Sequence, residues 1–590
     1  MAAQNNHIAD VLDEIGTLIE LKEDNAFRAR AYHNAARVVQ NLDTDIAELN
    51  ASGAIANVSG LGSEMRAHIT EILDTGQIKL HDELVASIEP GLIEMLRING
   101  LGPKRIRLLH EKLGVATIAA LATACQEGRV AALAGFGVKT QANILKNIQF
   151  LTQYASSFSY SQAAPLAESI TTRLLDVPGV VRASVAGSLR RRKETVHDVD
   201  AVASVADDAA RTAIMDAFTT APEVIEIVAR GETKSTIMLA DGLKMDLRVV
   251  NDDEFAAALH HFTGSREHHI ALRGLALDRG IKINEYGLWR GEERLDITQE
   301  SDVYATLGMA YIEPELREDR GEIQAAIANA LPTLIMERDV IGALHCHSTW
   351  SDGHASVREM ADACIALGYG YLGLCDHSQF AAYAHGLTPA DVQRQHAEID
   401  ALNAEYGDRF RILKGTECDI LRDGSLDFDD ATLASFDFVV ASIHSVFTLS
   451  EAEETARLIR AINNPYTTII GHVTGRILLQ REGYPVDIPA VIAAAARRGV
   501  AIELNANPAR FDMDWRHHRL AIEQGIMIPI NTDAHHPDGL RDITYGIGIG
   551  RKGWLTPTNV PNTWPLAKLT AWFADVRERG LALRDEAKTD

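Results

Sequence analysis

Cysteine is scarce. Cys125, Cys346, Cys364, Cys375 and Cys418 are odd in number and show no CxxC spacing, so neither a disulfide framework nor a cysteine-based zinc site is expected. They read as reduced thiols of a cytoplasmic protein. No run of about 18 uncharged apolar residues occurs, which excludes a membrane span. The opening MAAQNNHIADVLDEIG lacks the basic-then-apolar order of a secretory signal. Neither export nor a membrane partner is expected. Positive charge is also in deficit, with 57 Lys and Arg against 82 Asp and Glu and a net charge of −25. That sign excludes bulk electrostatic attraction to nucleic acid, so any DNA contact must be local. Tracts rich in Pro, Gln or Ser are missing, and a chain 46% apolar and 24% charged folds throughout. At roughly 150 residues per domain the length implies three or four units.

Period-3.6 apolar patterns fill the first 150 residues, as in IADVLDEIGTLIEL and ITEILDTG. Within them a small pattern recurs as SGLGSEMRAHI (59–69), NGLGPKRIRLL (99–109) and AGFGVKTQANI (134–144). An apolar residue between two glycines, then a helix start, is the helix-hairpin-helix signature. Its tight turn leaves the free N–H groups of the next helix pointing outward, where they can hold a phosphate oxygen. Gly60, Gly62, Gly100, Gly102, Gly135 and Gly137 are therefore the predicted DNA-backbone contacts, and they require no net positive charge.

From about residue 156 strands and helices alternate. In VAGSLRRRKETVHDVDAVAS (185–204), Asp198 and Asp200 stand two apart in a strand-like run and so share a face. A second strand, DGLKMDLRVV, offers Asp246. Three carboxylates on neighbouring strands make an oxygen cage for Mg²⁺ or Mn²⁺, as two-metal phosphoryl transfer requires. Gly187 and Ser188 can bring backbone and hydroxyl to a triphosphate, while Arg190 or Arg191 meets its charge.

On these residues the first 320 positions resemble the family X DNA polymerases. The family's Gly-Ser, arginines and Asp-x-Asp correspond to Gly187, Ser188, Arg191, Asp198 and Asp200, with Asp246 as the third metal aspartate. HHFTGSREHHIALR is similar to the family's nucleotide-pocket motif through Phe262, Thr263, Gly264 and Ser265. Nucleotide binding is implied there, with His261 where the family has Tyr at the sugar and His269 where it has Asn near the base. His197 replaces a Gly just before the first aspartate. Crowding by His197 implies slow polymerisation, relieved by His197→Gly, and His261 a weaker barrier to ribonucleotides. His68 stands where lyase-competent relatives carry a Schiff-base lysine. An imidazole cannot form that imine, so lyase activity is expected to be weak unless Lys79 substitutes.

Beyond residue 320 a helical connection, GEIQAAIANALPTLI, leads to VIGALHCHSTWSDGHAS (340–356). Strand alternation lets His345 and His347 aim two imidazoles at one point, with Asp352 close behind. Further apolar strands each end in a polar ligand, giving His377, Glu417, His444, His472, Asp533 and His535. Strand, ligand and helix in repetition describe a barrel with its site at the C-terminal strand ends. This half resembles the PHP (polymerase and histidinol phosphatase) family, which implies a distorted (β/α)₇ barrel holding up to three ions. The mixed imidazole and carboxylate set suits Mn²⁺, Zn²⁺ or Fe²⁺, and the reaction class is phosphoester hydrolysis.

The expected architecture is multidomain. An all-α helix-hairpin-helix region covers 1–90 and 91–155, and an α+β nucleotidyltransferase palm and thumb cover 156–255 and 256–320. A linker spans 321–338, and an α/β PHP barrel spans 339–575. The pairing implies a monomeric DNA repair enzyme that fills short gaps in gapped or nicked DNA with dNTPs and trims 3′ ends by 3′–5′ exonuclease action. Abasic-site endonuclease and 3′-phosphatase activities are neighbouring chemistries. One alternative is a nuclease whose polymerase half only grips DNA. Another is a non-catalytic DNA-end scaffold.

Overall fold

A computed structural model describes residues 2–589 apart from 23–25, 41, 43, 99 and 155. Two compact units divide the chain, the first spanning residues 1–155 and the second comprising nearly all of residues 156–590.

The first unit is all helix. Leu12, Ile15, Leu18 and Ile19 of Ala2–Lys22 meet Tyr32 of Ala26–Gln40 and Ile106 and Leu109 of Pro103–Leu113 in one core. Each recurring glycine pair has a division of labour. Gly60, Gly100 and Gly135 adopt φ of +91°, +86° and +86°, a region that disfavours residues with a Cβ. Gly62 and Gly102 follow as N-caps of Ser63–Thr75 and Pro103–Leu113 without a side-chain cap, and Gly137 precedes Val138–Tyr154.

The second unit opens with a five-stranded sheet: β1 (Val180–Val185), β2 (Asp198–Val205), β3 (Val224–Arg230), β4 (Lys234–Leu239) and β5 (Lys244–Asn251). The spatial order is β1-β2-β5-β4-β3, with only β2 and β5 parallel. Helices Tyr160–Leu175 and Asp208–Thr219 bury Ala167, Ile170, Ile214 and Phe218 in the same core as Val199 and Met245 of the sheet. Helices Phe255–Thr263 and Arg266–Asp278 follow, with the small meander β6 (Ile281–Asn284), β7 (Gly287–Arg290) and β8 (Glu293–Leu295).

The segment read as a linker is packed. Its helix Glu322–Ile327 buries Glu322, which meets His268 Nδ1 at 2.6 Å. A buried carboxylate fixed by an imidazole ties the connection to the preceding helices, which an apolar-pattern reading does not detect.

The remainder is a barrel. Strands β9 (Gly342–Cys346), β10 (Tyr371–Leu374), β11 (Arg411–Asp419), β12 (Phe438–Ser442), β13 (Ile469–Ile470) and β14 (Ala501–Ile502) form a parallel six-stranded sheet in sequence order. β15 (Leu504–Asn505) continues β14 directly and pairs in parallel with β16 (Ile530–Asn531). A parallel bridge between Cys346 and Ala534, with His347 N–H donating to the Ala534 carbonyl at 2.8 Å, closes the ring on β9. Helices such as Val357–Ala366, Pro389–Tyr406, Glu451–Ile462 and Ile488–Arg498 alternate with these strands, as parallel pairing of successive strands requires.

Candidate active sites

On the first sheet the parallel register sets Asp200 directly beside Asp246 and Asp198 beside Lys244. Neighbouring residues at one level of a pleated sheet point the same way, so the three predicted carboxylates share a face. Asp198 is exposed, and Asp200 and Asp246 are half-buried. Burial, then repulsion by Asp198 and Asp246, lifts Asp200 to about 6. Sequence reasoning missed Lys234 and Thr236 on β4, whose Nζ and Oγ1 lie 2.5 and 2.6 Å from the Asp246 carboxylate. Alternation along KSTIML was their signal. A lysine cation thus sits where opposite charge is wanted.

Gly187 adopts φ of +60°, and a Cβ there would stand 2.3 Å from Asp200 Oδ2. Only glycine lets this turn approach the aspartate. Ser188 is half-buried on the following turn. The arginine run is drawn inward: Arg190 pairs with Glu300 at 2.5 Å, and Arg191 donates to Glu318 at 3.0 Å and to the Thr263 carbonyl at 2.5 Å. Glu300 and Glu318 carried no sequence signal, because their partners lie more than a hundred residues away. Thr263 and Gly264 therefore touch the Gly-Ser-arginine turn, whereas Ser265 caps the next helix at His268 N–H. Phe262 carries the Arg248 guanidinium over its ring at 5.2 Å. His261 is half-buried beside Arg273, 3.3 Å away. His269 is buried, its Nε2 bonded to the carbonyls of His260 and His261 at 3.1 and 2.8 Å, so its ring is committed to protein. His197 is exposed and its Nδ1 lies 3.2 Å from both Ser156 O and Ser157 Oγ. It has swung to that side rather than into the aspartates. The predicted crowding does not arise here.

At the barrel mouth the nine predicted ligands converge. One donor cluster is His347, Asp352, His377 and His535; a second is His345, His347, Glu417 and Asp533; a third is His377, Glu417 and His444. His472 lies outside all three groups but reaches Glu417 Oε1 at 2.9 Å. Within the clusters His345 Nε2 is 3.4 Å from Glu417 and 3.6 Å from Asp533, and His377 Nε2 is 3.6 Å from Asp352. Ligands about 2.1 Å from a common ion stand about 3.0–3.4 Å apart for octahedral or tetrahedral angles. The buried ring atoms His345 Nε2 and His347 Nδ1 lack a hydrogen-bond partner among the described residues, and His377 Nδ1 lies 3.0 Å from Glu417 Oε2. Such orphaned donors fit a metal-binding role.

Charge in the cluster tells the same story. Burial opposes ionisation, yet Glu417 and Asp533 are held well below the ordinary carboxylate range by the surrounding imidazoles. Burial likewise opposes charge on His444 and His535, but Glu417 and Asp419 lift the first to about 10, and Asp352 and Asp533 the second to about 9. Burial and the charge of His535 push His347 down to about 3. The same carboxylates that favour charge on these imidazoles would favour a cation held between them. Metal binding releases imidazole protons.

Local backbone aims the ligands. His345 and Asp533 adopt φ of +56° and +53°, uncommon for non-glycine residues and costly by about 1–3 kcal/mol each. The register between β9 and β10 shifts between Ala343 and Cys346, so convergence of His345 with His347 depends on a distortion and not on plain alternation. Asp352 follows on the loop that ends where Ser356 and Glu359 form a capping box on Val357–Ala366. Sequence reasoning missed the supporting layer. Glu503 accepts from His345 Nδ1 at 2.6 Å and from the Asn505 and Asn531 amides at 2.9 and 2.8 Å. Asp419 lies 3.1 Å from His444 Nδ1, and Asp376 accepts from Ser348, Ser351 and Gln395. Glu503 was findable, since AIELNAN is one more apolar strand running into polar residues.

Family models match four stretches of the chain. Residues 3–78 match a helix-hairpin-helix domain, 92–149 a SAM-like helix-hairpin-helix tandem, 258–318 the DNA polymerase beta thumb and 343–507 the PHP domain. The DNA polymerase/3′-5′ exonuclease PolX of Bacillus subtilis is 39% identical over 570 residues, covering 96% of this chain and 98% of that protein. A probable phosphatase of Thermoanaerobacter sp. is 31% identical over 232 residues, 37% of this chain and 89% of the relative. Another, from Shewanella halifaxensis, is 32% identical over 229 residues, covering 37% and 88%.

Proposed function

Because the chain belongs to the family of the DNA polymerase/3′-5′ exonuclease PolX, we propose a residue-level division of its two chemistries. It is a DNA polymerase with a 3′–5′ exonuclease in its PHP domain, acting on DNA with dNTPs and divalent metal ions. Asp198, Asp200 and Asp246 serve nucleotidyl transfer and suit Mg²⁺ or Mn²⁺. Gly187, Ser188, Arg191, Thr263 and Gly264 receive the triphosphate, and Phe262 and His261 flank the nucleotide. His345, His347, Asp352, His377, Glu417, His444, His472, Asp533 and His535 serve hydrolysis and suit up to three ions of Mn²⁺, Zn²⁺ or Fe²⁺. Bound there, such ions polarise a phosphoryl oxygen and provide an activated water. Glu503 and Asp419 orient His345 and His444 toward them. The six turn glycines, Gly60 to Gly137, hold the backbone of gapped or nicked DNA, and the protein works as a monomer in the cytoplasm.

The observation that carries this reading is the meeting of ligands from successive strand ends on Glu417, which belongs to two of the three clusters and contacts His472 besides. The test is a labelled primer on a gapped template with Mn²⁺, with and without dNTPs. Asp198→Ala or Asp200→Ala is expected to abolish extension and spare shortening. His345→Ala or His444→Ala is expected to do the reverse and to lower bound metal. Full extension by Asp200→Ala, or full shortening by His345→Ala in metal-depleted buffer, refutes the corresponding assignment.

A further inference from the structure

Lys552 ends the helix Ile543–Lys552, which packs on the barrel, yet its ammonium serves another part of the unit. The residue is 1% exposed. Its Nζ lies 2.5 Å from Glu318 Oε1, 3.0 Å from the carbonyl of Arg191 and 3.4 Å from that of Glu315, with the Trp515 ring at 4.6 Å. All three acceptors belong to the polymerase half, and none to the hydrolase. An ammonium so deeply buried is unfavourable unless its partners are specific.

Glu318 is shared. Its Oε1 also accepts from Arg191 Nε at 3.0 Å, and its Oε2 lies 3.7 Å from Lys193 Nζ. Burial alone would raise its pKa, but Lys552, Arg191 and Lys193 bring it down to about 2, so it carries full charge at any working pH. Arg191 is where the Gly187–Ser188 turn meets the nucleotide-pocket motif, since a Cβ on Gly264 would lie 2.9 Å from its Nη1. One lysine thus holds the backbone of Arg191 and also the carboxylate that holds its guanidinium.

We propose that Lys552 is a positioning residue for nucleotidyl transfer, supplied to the polymerase site by the hydrolase domain. By taking a share of Glu318 it keeps that carboxylate from neutralising Arg191 outright. The guanidinium then stays available to an incoming nucleoside triphosphate. The inference rests on the reading of Arg191 as a triphosphate ligand, and its test separates the two.

The experiment uses the full chain on a one-nucleotide gap, with steady-state kinetics in dNTP and, separately, exonuclease rates without dNTP. Lys552→Met is expected to raise the KM for dNTP about tenfold while kcat moves less than about twofold and the exonuclease rate stays unchanged. Lys552→Arg should restore most of the loss. In the Glu318→Gln background, where the competing charge is gone, Lys552→Met should add nothing, as for two residues acting through one interaction, and the rescue by Lys552→Arg separates charge from packing. An unchanged KM in Lys552→Met overturns the proposal, as does an equal rise in both backgrounds or a joint loss of both activities that Lys552→Arg fails to restore. An unchanged KM in Arg191→Ala overturns instead the triphosphate reading beneath it.

Discussion

The histidines that depart from the family pattern separate cleanly once their neighbours are known. His197 is exposed and bonded toward Ser156 and Ser157, so it adds no bulk where a triphosphate would lie. His197→Gly is accordingly expected to leave kcat/KM for dNTP within about twofold; a tenfold gain on a gapped primer would restore the crowding argument. His269 is different, because burial pushes it down to about 4. The unfolded chain takes up a proton below pH 6.5 that the folded chain refuses until about pH 4, so stability falls as pH drops through that window. The loss is about 3 kcal/mol at most, and His260 and His268, also depressed by burial, act with the same sign. Thermal melts from pH 7 to 4.5 should show this fall, and His269→Asn should flatten it. A parallel fall in both proteins would assign the acid sensitivity elsewhere.

Short elements explain what the sequence revealed and what it concealed. The nine residues that converge at the barrel mouth were legible because each follows an apolar strand, and a strand end is recognisable without knowing its neighbours. Glu503 and Asp419 were not singled out, because their role is defined by His345 and His444, which ring closure and the pairing of β11 with β12 bring within 2.6 and 3.1 Å. Glu503→Gln keeps the shape but removes the charge that orients His345. Metal affinity is expected to fall about tenfold or more, read as a rightward shift of exonuclease rate against Mn²⁺ concentration. An unshifted titration would reduce Glu503 to packing. In the polymerase half the same scale applies to Gly187. With φ of +60° and Asp200 Oδ2 at 2.3 Å from a Cβ position, Gly187→Ala must displace either the turn or the aspartate. Extension is expected to drop about a hundredfold or more with exonuclease intact; extension within a fewfold of the parent would show that the turn can relax.

At the scale of the molecule, the switch from helical to alternating texture near residue 156 coincides with the boundary of the two compact units. The packed connection at Glu322 was not legible, since a buried carboxylate hydrogen-bonded to an imidazole looks like surface charge in a sequence. Depth also distinguishes the two reaction centres. Asp198 lies at the surface, whereas the cluster of His345, His347, Glu417 and Asp533 is buried throughout, with Asp352 and His535 at its outer side about a third exposed. A brief pulse of chelator followed by excess Mg²⁺ should therefore stop and restart extension at once, while exonuclease activity declines slowly and returns slowly if at all. Equal recovery of both would mean that burial does not limit exchange. With slow exchange, the polymerase reports the ions present at the moment of use. The nuclease would instead keep the ions it acquired earlier, so two molecules of identical sequence exposed to different metals would differ in activity until those ions exchange.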